Sequence, residues 1–171
     1  MSGASHHTPE MPSFDKPVKL LIVVAPYYKD IADDLVAGAK AQIEAVGGTW
    51  ELVEVPGALE VPTAIRIAQR TSNFDGFVAL GCVIRGETTH YDTVCNDSSR
   101  ALTLLGLDGC CIGNGILTVE THEQAVVRAG DQNKGGGAAA AALHLVALSR
   151  KWSGAGKGIG FRPYGEDTLL A

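Results

Sequence analysis

The run Val18–Ala25, VKLLIVVA, constrains the fold more than any other stretch of this chain. It is apolar except for Lys19 and too short for a buried helix of ordinary length, so it belongs in a sheet covered on both faces. Pro26-Tyr27-Tyr28 ends it. Three later segments read as further strands: Thr49–Val55, Phe74–Ile84 and Cys110–Val119. The last contains Gly113-Asn114-Gly115, which predicts an interruption or a place where something approaches the backbone closely.

Helical patterns fill the intervals. From Lys29 to Val46, Ile31, Leu35, Ala39 and Ile43 recur every fourth position, and Gly47-Gly48 stops the run. A short helix is predicted over Val61–Arg70, with Pro62 in its tolerant first turn. The segment His90–Leu107 carries Tyr91, Val94, Cys95, Ser98, Leu102 and Leu105 at helical spacing. Thr121-His122-Glu123-Gln124 has capping-box spacing and opens a helix through Arg128. Asn133–Gly137 reads as a break or kink, the Ala/Gly tract 135–142 as helix with a glycine-rich start, and Ala138–Trp152 as a last helix whose alanines permit close packing.

The order β-α-β-α-β-α-β-α-α implies parallel strands, right-handed crossovers and helices on both faces, a three-layer α/β sandwich. Ligands of such sheets bind outside the carboxyl ends of the strands. Those ends are expected at Tyr27, the Gly57–Glu60 loop, the Gly86–His90 loop and Asn114.

With 171 residues, 46% hydrophobic and 19% charged, the chain suits one globular domain, expected over 18–158, with a flexible arm at 1–17 and an irregular tail at 159–171. A net charge of −5 with scattered Lys and Arg gives no general reason to bind nucleic acid or an anionic membrane. Nothing approaches a membrane span or a leader pattern, and cysteines 82, 95, 110 and 111 lack CxxC spacing, so reduced thiols in a cytoplasmic protein are expected. No His/Asp/Glu cluster has metal-ligand spacing. A phosphate-cradling GxxxxGK[ST], a GxGxxG after the first strand and a nucleophile elbow are all missing.

What remains is GCVIRGETTHYD, residues 81–92. An apolar strand enters a turn holding Gly86, hydroxyls and a carboxylate, then meets His90 where a helix begins. Unpaired N–H groups at a helix start favour an anion, and an imidazole beside it can move protons near neutral pH. The alternative is that His90 is an ordinary polar residue at a helix start. The concentration of unusual residues at several strand ends favours the functional reading.

These residues resemble the 6,7-dimethyl-8-ribityllumazine synthase family of riboflavin biosynthesis. The resemblance spans roughly Val18 to Trp152 and rests on PGALEVP (56–62), GCVIRGETTHYD (81–92), NGILTVETHEQAVVRAG (114–130) and Asn133-Lys134-Gly135. It implies a flavodoxin-like fold with a four-stranded parallel sheet flanked by helices. It implies condensation of 5-amino-6-(D-ribitylamino)uracil with 3,4-dihydroxy-2-butanone 4-phosphate, with no metal or organic cofactor.

By the same resemblance His90 matches the proton-transfer histidine, while Gly86, Glu87 and Thr88 match the phosphate-holding turn. Arg128 matches the phosphate-binding arginine, and Lys134 a basic residue near it. Ala58, Leu59 and Glu60 match the segment that meets the ribityl chain and uracil; Cys82, Val83 and Ile84 match the strand end that meets the pyrimidine. Tyr27 stands where an aromatic residue stacks on the pyrimidine, Tyr28 replaces the usual asparagine, and Asn114 replaces a common phenylalanine. The Arg128-to-Lys134 spacing is shorter than is common.

Family members form pentamers, some of them assembled into hollow shells, with sites shared between neighbours. Asn114, Arg128 and Lys134 are therefore expected from one subunit, and the other residues from its neighbour. Two rival readings of the pocket are a carrier of flavin or lumazine and a shell protein with a vestigial site. Keeping His90, Arg128 and the Gly86–Thr88 turn favours catalysis.

Overall fold

A computed structural model of the protein describes residues 7–155, arranged as β1 (Lys19–Val24), α1 (Lys29–Ala45), β2 (Thr49–Glu54), α2 (Glu60–Thr71), β3 (Gly76–Ile84), α3 (His90–Leu107), β4 (Ile112–Val119), α4 (His122–Ala129) and α5 (Lys134–Ala155). The strands form one parallel sheet in the order β2-β1-β3-β4. This is a flavodoxin-like order, with the switch in direction between β1 and β3.

The apolar runs serve both faces. Leu20, Ile22 and Val24 of β1 and Val78 and Leu80 of β3 pack in one cluster with α1, α4 and α5. The alternate residues Leu21, Val23, Phe77 and Ala79 pack in a second cluster with Val61 and Ile65 of α2 and Leu102 of α3. Period-two side-chain alternation therefore splits each apolar strand between two helical layers. β2 lies at an edge, which explains its weaker apolar character: all its residues except half-buried Trp50 are exposed.

Several local expectations hold. α1 ends at Gly47, whose φ of 73° is the left-handed conformation that glycine adopts without steric cost. Thr121 accepts from the Gln124 N–H at 3.3 Å, and the Gln124 side chain accepts from the Glu120 N–H at 2.9 Å, fixing the start of α4.

Two expectations are overturned, and for one reason. The break expected over 133–137 is absent and the helix with a glycine-rich start expected over 135–142 forms instead, because α5 begins at Lys134; Asn133, at φ 45°, caps it by accepting from the Gly136 N–H at 3.0 Å. Asn114 is no strand end, because β4 runs unbroken through Gly113-Asn114-Gly115 and Asn114 stands opposite Ala79. In both places glycine admits a neighbouring backbone. A Cβ on Gly135 would lie 2.0 Å from the Leu35 carbonyl oxygen, and one on Gly113 would lie 1.7 Å from that of Ala138. The helix α5 therefore lies directly on β4 and α1, and the close-approach alternative for the glycine pair is the right one. Gly113→Ala should cost at least ~1–3 kcal/mol, read as a lower urea midpoint at unchanged slope.

Residues 7–17 of the expected arm are described. Met11 and Phe14 rest partly buried against the core, and Arg150 donates to the carbonyls of Lys16 and Pro17 at 3.0 and 2.7 Å. Residues 1–6 and the tail expected at 159–171 lie outside the described residues.

Candidate active site

The strand ends at the switch point bound a cleft of about 440 Å³. After β1 come Ala25, Tyr27 and Tyr28; after β2 come Pro56, Gly57, Ala58, Leu59 and Glu60. From β3 and the turn beyond it come Cys82, Val83, Ile84, Gly86, Thr88, His90, Tyr91 and Val94. The volume and the mixed aromatic and polar lining suit a flat ligand of drug-like size.

Main-chain pairing shapes this rim. The Ala25 N–H donates to Leu80 and the Val55 N–H to Val24, both at 2.9 Å, so the three loops leave the sheet side by side. Tyr27 is 76% exposed, and its ring is free to stack on a ligand rather than committed to the core. Tyr28 meets it edge to face, with centroids 5.1 Å apart. Burial, then the nearby Tyr27 and Cys82, raise the Tyr28 phenol pKa above its ordinary value. Glu60 opens α2, where a carboxylate suits the positive end of the helix dipole.

The turn after β3 has the character an anion needs. Among the described residues, the N–H groups of Gly86, Glu87, Thr88 and Thr89 donate to no backbone carbonyl. The His90 N–H has only a long contact, 3.4 Å, to Thr88 Oγ1. α3 starts at His90 without a side-chain cap, and although the Asp92 N–H donates to the Thr89 carbonyl at 3.0 Å, the N–H groups before it meet no backbone carbonyl beside the cleft. Glu87 is exposed and does not line the cleft, so its carboxylate adds no repulsion to the lining. The imidazole of His90 lines the cleft next to this turn and is exposed.

The structure thus brings together Tyr27, Ala58, Leu59, Glu60, Cys82, Val83, Ile84, Gly86, Thr88 and His90 of the residues singled out from the sequence. Asn114, Arg128 and Lys134 do not line this cleft in the single chain. Asn114 borders a separate apolar groove with Leu107, Leu148 and Trp152. Arg128 is in the last turn of α4, about 9 Å along the axis from His122. Its Nη1 donates to the Gln124 carbonyl at 3.0 Å, and it forms no ion pair among the described residues. Lys134 is the exposed first residue of α5.

Tyr28, Tyr91 and Val94 went unassigned from the sequence although they line the cleft. For the last two a signal existed: with a helix opening at His90, positions 90, 91 and 94 share a face.

Cys82 is a wall, not a nucleophile. Burial, followed by the charge of Asp30, pushes its thiol up to about 11. At pH 8 it should react with iodoacetamide about a hundredfold more slowly than an ordinary exposed thiol, as read by mass spectrometry of the labelled peptide. All four cysteines are free.

No group of three or more metal-ligating side chains occurs among the described residues, and none of their helices is long and apolar enough to cross a membrane. A parallel sheet of this order, with an aromatic cleft and unpaired turn amides at its switch point, belongs to the class of α/β folds whose strand-end cleft suits a flat, anion-bearing ligand. More particularly, the chain belongs to the 6,7-dimethyl-8-ribityllumazine synthase family, whose model matches residues 17–150.

Similarity to individual members covers most of the chain. The chain is 61% identical over 168 residues to the 6,7-dimethyl-8-ribityllumazine synthase of Jannaschia sp. (strain CCS1), covering 96% of this chain and 94% of that protein. It is 52% identical over 137 residues to the one from Novosphingobium aromaticivorans, and 53% identical over 137 residues to the one from Zymomonas mobilis subsp. mobilis. Each of those matches covers 79% of this chain and 99% of the relative.

Proposed function

We propose that this protein condenses 5-amino-6-(D-ribitylamino)uracil with 3,4-dihydroxy-2-butanone 4-phosphate, giving 6,7-dimethyl-8-ribityllumazine, inorganic phosphate and two molecules of water. The observation that carries this reading is the cleft itself, where an exposed aromatic ring, unpaired turn amides and an imidazole converge at one switch point. Family membership supports the reaction, since the matching relatives are named for it.

Tyr27 stacks on the pyrimidine, and the main chain at Cys82–Ile84 meets its polar edge. Glu60 accepts from ribityl hydroxyls beside Ala58 and Leu59. The phosphate of the ketone docks on the N–H groups of Gly86, Glu87 and Thr88, where the small Gly86 permits close approach. The uracil's amine then attacks the ketone and water leaves to form an imine. Phosphate is eliminated, the resulting enol tautomerises to a ketone, and the ribitylamino nitrogen attacks that carbonyl and expels a second water to close the second ring. Each step moves protons between heteroatoms or off carbon, so one imidazole at His90 serves several of them. Holding both reactants in one cleft supplies much of the remaining acceleration.

Arg128 completes the phosphate site from a second copy, with Lys134 and Asn114 beside it. Their placement away from this chain's own cleft favours that arrangement, and a guanidinium is suited to bidentate pairing with phosphate oxygens. The protein on this reading works in the cytoplasm as a pentamer or an assembly of pentamers, without metal or cofactor.

Purified protein mixed with both substrates should release inorganic phosphate and the coloured lumazine together. No acceleration over the spontaneous reaction would remove the enzyme reading and leave a lumazine or flavin carrier.

A further inference from the structure

The turn Gly86–Thr89 is exposed and lacks main-chain hydrogen bonds from its N–H groups among the described residues, so its shape must be held from outside. Arg85 stands immediately before it. The Arg85 main-chain N–H donates to the Val119 carbonyl at 3.0 Å, at the carboxyl end of β4. Its Nε donates to Glu120 Oε2 at 2.7 Å, and its Nη1 is 3.5 Å from Asp92 Oδ1. The guanidinium carbon also lies 4.1 Å from the centroid of the Tyr91 ring. One side chain therefore joins the residue before the turn to Tyr91 and Asp92 in the first turn of α3, and ties both to Glu120 just beyond β4.

We infer that Arg85 is a positioning residue, a clasp that keeps the Gly86–Thr89 turn in its phosphate-binding shape without touching the phosphate. The inference rests on the phosphate role given to this turn above. Arg85 does not line the cleft, whereas Tyr91, the ring it covers, does. Its charge is already met by two carboxylates, which leaves little attraction for a third anion. A planar fork that bonds a carboxylate while stacking on a ring is a task for arginine and not for lysine. Loosening even one residue of the turn makes the anion supply its ordering cost on binding, roughly tenfold in affinity.

The test compares Arg85→Met, Arg85→Lys and Glu120→Ala in the full chain, by steady-state kinetics and by titration with inorganic phosphate. All three variants should raise the KM for the phosphorylated ketone and weaken phosphate binding, about tenfold for the two Arg85 changes. The KM for the uracil and kcat should stay within about twofold.

Glu120→Ala decides the sign. By Coulomb attraction alone, removing a carboxylate near the site strengthens phosphate binding, so weaker binding marks the clasp. Tighter phosphate binding in Glu120→Ala, wild-type behaviour in Arg85→Lys, or no phosphate binding by the unaltered chain overturns the inference. Thermal melts check folding. Should an Arg85 variant fail to fold, Glu120→Ala, at an exposed position, carries the test. An unaltered chain that binds phosphate but does not catalyse would sink the proposed reaction and leave the clasp standing.

Discussion

His90→Ala should lower kcat by about 10² to 10⁴-fold, while the KM values for both substrates change by less than about threefold. The imidazole lines the cleft beside the anion-binding turn but supplies none of the turn's N–H groups through its side chain. Removing it takes away the proton carrier and leaves the stacking surface, the ribityl contacts and the phosphate donors in place. Single-turnover measurements should show the same loss, since the affected steps are chemical. An unchanged kcat would mean that another group moves the protons; the phenols of Tyr28 and Tyr91 also line the cleft.

Arg128→Ala should act on the other quantity. Losing a charge-assisted pair with a phosphate costs about 1.5–3 kcal/mol, so the KM for the phosphorylated ketone should rise about ten- to hundredfold while that for the uracil moves less than twofold. Equal effects on both substrates would contradict the role. Because Arg128 is proposed to act in a neighbour's cleft, His90→Ala and Arg128→Ala chains refolded together should regain, at ketone concentrations near the wild-type KM, activity that neither has alone. In a ring of randomly mixed subunits about a quarter of the sites would carry both groups. No recovery above the separate variants would place both residues on one chain's site.

Much of the architecture was legible because burial leaves a simple mark. A strand covered on both faces reads as a continuous apolar run, and Val18–Ala25 and Phe74–Ile84 are such runs. The four-residue recurrence Ile31, Leu35, Ala39, Ile43 names the buried stripe of α1. The cleft residues were legible for another reason: three strand ends carry residues that neither a core nor a solvated loop requires.

What the sequence left open was the choice between two readings of glycine. Gly113 and Gly135 each offered a break beside the reading that holds, because local propensity penalises glycine inside helices and strands. Their use here depends on contacts between β4, α1 and α5 that no local window contains. Arg85 was passed over for a similar reason, since its partners Glu120 and Tyr91 come together only when β3, β4 and α3 are assembled.

The seating of α5 on bare backbone at Gly113 and Gly135 bears on how such a protein can change over generations. Those two contacts tolerate almost no added atoms, so variation there is removed by loss of stability before it can touch the chemistry. The loops after β1, β2 and β3 carry no comparable restriction. Altered ligand preference should therefore accumulate at positions such as Tyr27, Tyr28 and Leu59, with the α5 side inherited almost unaltered.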